Sequence, residues 1–282
     1  MNVAEAMTPR EEVVTVSLPG TRGDVLEYLQ ERAFSSVPVL KETEEGEQYR
    51  GLVSREALIA HPDEDQLALL MEEVPTTKSS ATIHEVAELM TESGERRIPV
   101  VNGGTLNGMI TVTDLIRAIA DGDVDGDMEV GDLASYNVNT VYDGAPLTVA
   151  EREIGFANVP YAIALDDEGE MSGIITEVDL VEEAEVVEGE DATGESIANQ
   201  DDEWMWEGIK AVGNRYLPTR DVELPEEPVA AHMSEDVLTV TRRRTAHEVA
   251  GLFLNNDIEQ VPLVLGDELV GIVRDTDLVA GL

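Results

Sequence analysis

The segment GMITVTDL at residues 108–115 and the segment GIITEVDL at residues 173–180 are built on one pattern. Each has a glycine, two apolar residues and a threonine, with an aspartate three residues after the threonine. A short β-branched run bounded by turn residues is typical of a buried strand, and Thr-x-x-Asp is typical of a helix cap. This pattern, the glycine motif, therefore predicts a strand that runs directly into a helix.

Two weaker copies of the glycine motif lie at residues 51–58, GLVSREAL, and 271–278, GIVRDTDL. An apolar-Pro-apolar step precedes each of the four copies, at Pro38, Pro99, Pro160 and Pro262. These prolines are 61, 61 and 102 residues apart, so the last interval is one more 61-residue period plus 41 residues. A fixed period indicates a repeat architecture, here with four repeats and one insertion between the third and the fourth.

The interval from proline to glycine indicates how the repeats are grouped. It is 13 residues in the first and third repeats and 9 in the second and fourth. This alternation predicts that repeats one and two form one module and repeats three and four another. Each repeat reads strand, helix, strand, strand, helix, with a capping box such as Thr82 to Glu85 at its first helix. In repeat three the interval from the first strand, at Thr140 and Val141, to Pro160 is about three residues shorter than in the other repeats. The first helix of repeat three, near residues 147–156, is therefore expected to lack a turn.

The glycine motif resembles the nucleotide-binding signature of the cystathionine-β-synthase (CBS) domain family, Gly-apolar-apolar-Thr/Ser-x-x-Asp. The resemblance covers most of the chain and points to an archaeal CBS-domain protein. It implies an α/β fold of the α+β type, with four CBS repeats (β-α-β-β-α) paired into two Bateman modules. The expected boundaries are 1–121 for the first module, with repeats at about 3–60 and 66–120, and 122–282 for the second, with repeats at about 128–184 and 227–282 and an insertion at about 185–226.

The resemblance implies that the motif side chains bind an adenine nucleotide. Thr111 and Thr176 are expected to contact phosphate or ribose, and Asp114 and Asp179 the ribose hydroxyls. A threonine beside free backbone N–H groups suits phosphate, and a carboxylate accepts hydrogen bonds from both hydroxyls of a ribose. The same residues also suit a helix cap that needs no ligand, so both interpretations stay open.

The other two repeats and a pair of arginines extend the candidate site. In repeat one Ala57 replaces the aspartate, so no ribose contact is expected there. In repeat four Arg274 replaces the threonine and Asp277 keeps the carboxylate. An arginine is a poor cap but a good phosphate fork, which favours ligand binding. Arg96 and Arg97 lie where CBS repeats often place phosphate-facing arginines, although a solvated pair is an equal alternative.

The composition limits the function classes. The chain has 60 acidic and 18 basic residues and a net charge of −42 at pH 7. Such a surface repels nucleic acid and anionic membranes. Because concentrated salt screens this self-repulsion, we expect a salt-adapted protein with a halophile-type acidic surface. The absence of cysteine excludes disulfides, thiolate nucleophiles and Cys-ligated zinc. The sequence has no apolar run of membrane-spanning length and no leader pattern at its start, which predicts a cytoplasmic protein.

Two further segments have alternative interpretations. The insertion contains Trp204 and Trp206, and its residues 201–212 predict a short helix followed by a loop at 214–220. The two tryptophans of this segment suit an interface or a nucleotide-stacking wall, or equally a lid over its own module.

Residues 121–132, DGDVDGDMEVGD, match the spacing of a calcium loop. In so acidic a chain such matches arise easily, so we expect an exposed linker and no metal site.

We expect a regulatory protein rather than an enzyme, because the sequence has no Walker loop, His-rich metal set, thiol or attached catalytic domain. The expected ligand is AMP, ADP or ATP. The expected mechanism is a ligand-dependent population shift that a protein partner reads. The modules would form a disc within the chain or through a homodimer. The alternatives are a structural scaffold with vestigial sites and a sensor of another adenosyl ligand, such as S-adenosylmethionine or a cyclic dinucleotide.

Overall fold

A computed structural model of the chain describes residues 1–30, 36–44, 46–54, 57, 64–183, 185–188, 209–212, 215–218 and 220–282. The chain divides into two compact units. The first contains mainly Met1–Gly126, together with Val279–Leu282, and the second mainly residues 127–278. Small sheets alternate with helices in both units, which confirms the predicted α/β class.

The first unit contains repeats one and two. Repeat one is led by α1 (Val3–Ala6), β1 (Thr8–Pro9) and a 3₁₀ turn (Arg10–Glu12), and consists of β2 (Val16–Leu18), α2 (Arg22–Gln30), β3 (Ser36–Thr43) and β4 (Gly46–Ser54). Repeat two is led by α3 (Leu67–Leu70) and consists of α4 (Ile83–Ser93), β5 (Arg97–Asn102), β6 (Thr105–Thr111) and α5 (Val112–Ala120).

The second unit contains repeats three and four with the insertion between them. Repeat three is led by α6 (Val130–Leu133) and consists of β7 (Thr140–Tyr142), α7 (Leu147–Ala157), β8 (Tyr161–Leu165), β9 (Met171–Thr176) and α8 (Glu177–Glu183). The insertion contributes β10 (Glu185–Glu188), β11 (Ile209–Val212), β12 (Arg215–Pro218) and β13 (Arg220–Glu223). Repeat four is led by a 3₁₀ turn (Val229–Ala231) and consists of α9 (Ala246–Asn256), β14 (Gln260–Leu265), β15 (Glu268–Arg274) and α10 (Asp275–Ala280).

Side-chain caps fix where the first helices begin. Thr82 Oγ1 accepts a hydrogen bond from Glu85 N at 3.2 Å, and Glu85 Oε2 accepts one from Thr82 N at 2.7 Å. Thr245 and Glu248 form the same pair of bonds at the start of α9. Each box satisfies two backbone N–H groups that the helix itself leaves unpaired. The capping boxes predicted at α4 and α9 are confirmed.

The two main strands of each repeat form an antiparallel hairpin in an equivalent register. The residue after the motif glycine pairs with Pro38, Pro99 and Pro262 in repeats one, two and four. In repeat three the residue at that register position is Ile163, and Pro160 lies three residues before it. Pro160 is therefore not the counterpart of the other prolines, and the alignment that placed it there is wrong.

The predicted loss of a turn from the first helix of repeat three is also wrong. α7 has 11 residues, as α4 and α9 have. The apparent shortening arose because Pro160 lies in the turn that leaves α7, after Asn158 in the left-handed conformation (φ 53°). The residues that share one register position are Pro38, Pro99, Ile163 and Pro262. Counted from them, the intervals to the motif glycine are 13, 9, 10 and 9 residues in repeats one to four. The interval therefore does not group repeat three with repeat one.

The pairing of the repeats is set by short segments that two repeats exchange, and not by the proline-to-glycine interval. The stretch that leads repeat two lies beside the last strand of repeat one, where Leu52 N donates to Glu72 O at 3.0 Å and Glu72 N donates to Leu52 O at 2.7 Å. The stretch that leads repeat one returns the exchange, since Thr8 pairs with Met109 of β6. Repeats three and four exchange in the same way, at the bridges Ser135↔Ile272 and Ser234↔Ile174. Each unit is one reciprocal pair, so the predicted pairing is confirmed.

A second exchanged contact anchors each leading stretch. Val3 N donates to Ala81 O at 2.8 Å, directly before the Thr82 cap of the partner repeat. Equivalent bonds run from Leu67 to Gly20, from Val130 to Arg244 and from Val229 to Ala145. All four donor residues are 0% exposed. The pairing of repeats is thereby coupled to burial of apolar side chains, which is the main favourable term in folding.

The motif glycine is required by this exchange. A Cβ on Gly108 would lie 2.3 Å from Thr8 O, and a Cβ on Gly51 would lie 2.7 Å from Glu72 O. These are backbone atoms of the partner's leading stretch, which cannot turn aside as a flexible side chain can. The presence of glycine at this position therefore has a structural explanation, because a residue without a side chain lets a second backbone approach the strand closely.

The described part of the insertion consists of short strands. β10 pairs with β13 and β11 pairs with β12, both antiparallel. The prediction of a helix through residue 212 followed by a loop is therefore wrong for residues 209–212 and 215–218. These segments contain Ile, Val and Tyr, which favour strands. Trp204 and Trp206 lie outside the described residues.

Candidate functional site

The predicted site residues that belong to the glycine motif lie at the junctions between the last strand and the last helix of their repeats. In repeat three the buried side chains of Ile175 and Leu180 flank the junction, and both belong to a cluster with Leu147, Ala150 and Ile154 of α7. Leu147, Ala150 and Ile154 are spaced three and four residues apart along α7, which directs one face of that helix onto the sheet. The core therefore holds Thr176 and Asp179 in place from both sides of the junction.

In repeat two the motif side chains form a complete capping box. Asp114 Oδ2 accepts hydrogen bonds from Thr111 N at 2.9 Å and from Thr111 Oγ1 at 2.8 Å, and Asp114 N donates to Thr111 Oγ1 at 3.3 Å. The second carboxylate oxygen, Oδ1, accepts from Arg117 Nη1 at 3.0 Å. Asp114 is 8% exposed. Both of its oxygens are thus engaged within the protein.

In repeat three the same cap leaves one oxygen open. Asp179 Oδ2 accepts from Thr176 N and from Thr176 Oγ1, both at 2.8 Å. Within the described part of the chain, Asp179 Oδ1 has no hydrogen-bond partner. Asp179 is partly exposed. An ionised carboxylate has about four lone-pair positions, so this one has acceptor capacity left after it has capped the helix.

In repeat four the arginine replaces the threonine as a hydrogen-bond donor to the carboxylate, but a guanidinium cannot accept the bond that the threonine hydroxyl accepts from the helix. Asp277 Oδ2 accepts from Arg274 N at 2.9 Å and from Arg274 Nε at 3.1 Å, and Asp277 Oδ1 accepts from Arg274 Nη2 at 2.6 Å. The bonds to Asp277 raise the pKa of the Arg274 guanidinium. The structure therefore places the two predicted ligand contacts of this repeat in a bidentate ion pair with each other.

In repeat one Ala57 stands at the position of the motif aspartate, as its sequence indicated. Ser54 Oγ accepts a hydrogen bond from Ala57 N at 3.0 Å, with the same sequence spacing as the bonds that Thr111 and Thr176 accept in repeats two and three.

The two adjacent arginines lie beside the junction of repeat two. Arg96 O accepts a hydrogen bond from Val112 N, the first residue of α5, at 3.0 Å. Arg97 is directly opposite Thr111 in the register of β5 and β6, so the two side chains leave the same face of the sheet. Arg97 and Thr111 are thus brought together. Their roles toward a ligand stay a prediction.

Sequence reasoning missed Tyr161, which stands in the register position of Arg97. Tyr161 is 2% exposed, and its carbonyl accepts a hydrogen bond from Asn139 Nδ2 at 2.9 Å. Burial raises the pKa of the Tyr161 phenol, and the nearby charge of Arg274 opposes that rise. Tyr161 thus lies close to the junction of repeat four. The hairpin register would have revealed it, but the misaligned Pro160 concealed that register.

Residues 121–132 match a calcium loop. Residues 121–129 lie between α5 and α6 and are mostly exposed, as expected of a linker. The last three residues of the match are not part of an exposed linker, because they belong to α6 and Val130 and Gly131 are buried. In the ranges described above, no group of three or more His, Asp or Glu side chains is placed to hold a metal ion. No helix in these ranges is long and apolar enough to cross a bilayer.

Comparison with known families tests the resemblance of the repeats. The model of the CBS domain matches residues 3–64, 68–121, 130–185 and 229–282. This chain belongs to the CBS-domain family. Its four repeats are CBS repeats, and the strand-to-helix junctions described above are the junctions of CBS domains.

Three relatives of this CBS-domain protein match along nearly the whole of the chain. It is 25% identical over 278 residues to the uncharacterized protein MJ1404 of Methanocaldococcus jannaschii, and it spans 98% of its own length but only 61% of that relative. A conserved protein from Pyrococcus horikoshii has a similar crystal structure, with a TM-score of 0.70, 27% identity and coverage of 99% and 98% of the two chains. Protein MJ1225 from M. jannaschii shares the fold, with a TM-score of 0.64, 20% identity and 99% coverage of both chains.

Proposed function

We propose that this CBS-domain protein is a non-enzymatic regulatory sensor that binds an adenine nucleotide, AMP, ADP or ATP, at its strand-to-helix junctions. The observation that carries the proposal is the open oxygen of Asp179. The helix cap uses only Oδ2, so Oδ1 keeps two lone pairs for the two neighbouring hydroxyls of a ribose. Capping and ligand binding are therefore compatible in repeat three.

Arginines next to the other junctions support an anionic ligand. Arg97 shares a sheet face with Thr111, and Arg274, which is paired with Asp277, lies at the end of β15. In a chain with a net charge of −42, a phosphate needs local cations to offset the repulsion it meets. Guanidinium groups suit this role because they can bind phosphate oxygens in a bidentate manner.

The sensing mechanism we propose is a population shift. A nucleotide changes the equilibrium between two arrangements only if it binds one of them more tightly. Residues exchanged between paired repeats offer a route, because both junctions of a unit rest on stretches that the partner repeat supplies. The protein that reads the change and a homodimeric state are further proposals.

Calorimetric titration with adenosine, AMP, ADP, ATP and S-adenosylmethionine in concentrated salt tests the proposal. Hydrogen bonds to charged groups contribute about 1.5–3 kcal/mol, so Asp179→Asn should weaken nucleotide binding about tenfold to a hundredfold. The amide keeps an acceptor for the helix cap and should leave the fold intact. Asp267→Asn is the matched control, because Asp267 is an exposed carboxylate in the same unit.

A structural scaffold is the competing function, and specific observations favour it. Repeat one lacks the carboxylate, and the carboxylates of repeats two and four are occupied by arginines. If none of the five compounds binds the wild type at millimolar concentration, the scaffold interpretation replaces the sensor. If S-adenosylmethionine binds and the nucleotides do not, the sensor role stands with the alternative adenosyl ligand.

A further inference from the structure

The three motif carboxylates of this chain differ in what holds the second oxygen. Arg117 Nη1 holds Asp114 Oδ1 at 3.0 Å, and Arg274 Nη2 holds Asp277 Oδ1 at 2.6 Å. In repeat three no described residue donates to Asp179 Oδ1. One chain thus contains the same cap in an open state and in two occupied states.

The position of Arg117 explains how it occupies this oxygen. It lies one helical turn after Asp114, where side chains three residues apart face each other. The Arg117 side chain is 55% exposed while that of Asp114 is 9% exposed, so the guanidinium covers the carboxylate from the solvent side. At the corresponding sequence position repeat three has Glu182, an acidic residue, in place of the arginine.

We propose that Arg117 is a built-in competitor of the ligand at repeat two. Arg117 takes one of the two lone pairs of Oδ1. A ribose that binds Asp114 with both hydroxyls must therefore first displace the guanidinium, so this junction is weaker than that of repeat three. Arg274 competes in the same way at repeat four. The arginines thereby set the order in which the sites fill. The inference rests on the proposed function.

A neutral ligand separates this role from a phosphate contact. Adenosine carries the ribose without the phosphate, so its binding reports competition at the carboxylate alone. Arg117→Gln is titrated with adenosine and with AMP in an Asp179→Asn background, so that repeat three does not mask the result. Arg50→Gln is the matched control, because Arg50 is exposed, lies in the same unit and bonds to the neutral Gln48.

Competition predicts that Arg117→Gln tightens the binding of both ligands. A largely exposed ion pair contributes up to about 1 kcal/mol, which corresponds to about two- to fivefold in affinity. Arg50→Gln should leave adenosine binding unchanged. If Arg117→Gln weakens AMP and leaves adenosine unchanged, Arg117 is a phosphate contact and the inference is overturned. Unchanged affinity for both ligands overturns it as well.

Arg274→Thr provides a second test in another repeat. The substitution gives repeat four the Thr-x-x-Asp pattern of repeats two and three and should keep the helix cap. Competition predicts stronger adenosine binding in this variant, and unchanged or weaker adenosine binding contradicts it. Failure of the wild type to bind any adenosine compound would instead remove the proposed function, so the two failures are distinguishable.

Discussion

Substitution of Gly108 by alanine tests whether exchanged backbone holds the repeats together. The new Cβ would lie 2.3 Å from Thr8 O and 3.0 Å from Met7 Sδ. The first distance is roughly 1 Å shorter than an ordinary carbon–oxygen contact. Because Thr8 belongs to β1 and β1 pairs with β6, relief of the clash requires the leading stretch of repeat one to separate from repeat two.

The expected loss follows from the clash and from the bonds it disrupts. Overpacking costs about 1–3 kcal/mol, and each disrupted backbone hydrogen bond adds about 1 kcal/mol. We therefore expect Gly108→Ala to lower the free energy of unfolding by about 3 kcal/mol. Gly271→Ala should cost about 1 kcal/mol, because its Cβ would lie 2.9 Å from Ser135 O.

Denaturant unfolding, monitored by circular dichroism, measures the free energy of unfolding of the wild type and of the glycine-to-alanine variants. Gly251→Ala is the matched control, since nothing lies within 4 Å of its Cβ. This change in the middle of α9 should stabilise by about 0.5–1 kcal/mol. The reasoning is refuted if Gly108→Ala is as benign as the control, or if it costs no more than Gly271→Ala.

Three further predictions concern other parts of the chain. Phe253→Ala should cost about 3–5 kcal/mol because Phe253 is 3% exposed, whereas Phe156→Ala, at 85% exposed, should leave the unfolding midpoint unchanged. The backbone N–H of Thr82 and, to a smaller extent, its hydroxyl hold the pKa of Glu85 below its ordinary value. Thr82→Ala removes only the hydroxyl and should raise that pKa part of the way, and an NMR titration that shows no rise contradicts the cap. Since that pKa is lowered in the folded state, the contribution of Glu85 to stability should be present at neutral pH and disappear in acid. Burial raises the pKa of the Tyr49 and Tyr161 phenols above 10.0, so stability should fall as the pH rises through that value, and this fall should shrink in the two Tyr→Phe variants.

The sequence predicted the local features of the site well. The caps at Thr82, Thr111 and Thr176 form between residues three positions apart. Such bonds depend on the local backbone alone, so a short pattern is enough to predict them. The family and the number of repeats were predictable for a related reason, since both follow from recurrence of that pattern.

The alignment of repeat three was not predictable in the same way. The apolar-Pro-apolar step at Pro160 looked equivalent to the steps at Pro99 and Pro262, but register is set by pairing with a second strand. In the hairpin Ile163 takes that place. The role of Arg274 was missed for a different reason, because its side chain can point to a ligand or back to Asp277 three residues later, and the sequence pattern does not choose between these two rotamers.

The sequence alone determined that four strand-to-helix units follow one another and that the last helices of repeats two and three are capped by their own motif. Tertiary structure alone decided which repeats exchange their leading stretches and why Gly108 has no side chain. The physical reason is distance along the chain. A cap joins residues three positions apart, whereas the contact between Thr8 and Met109 exists only after the backbone has folded.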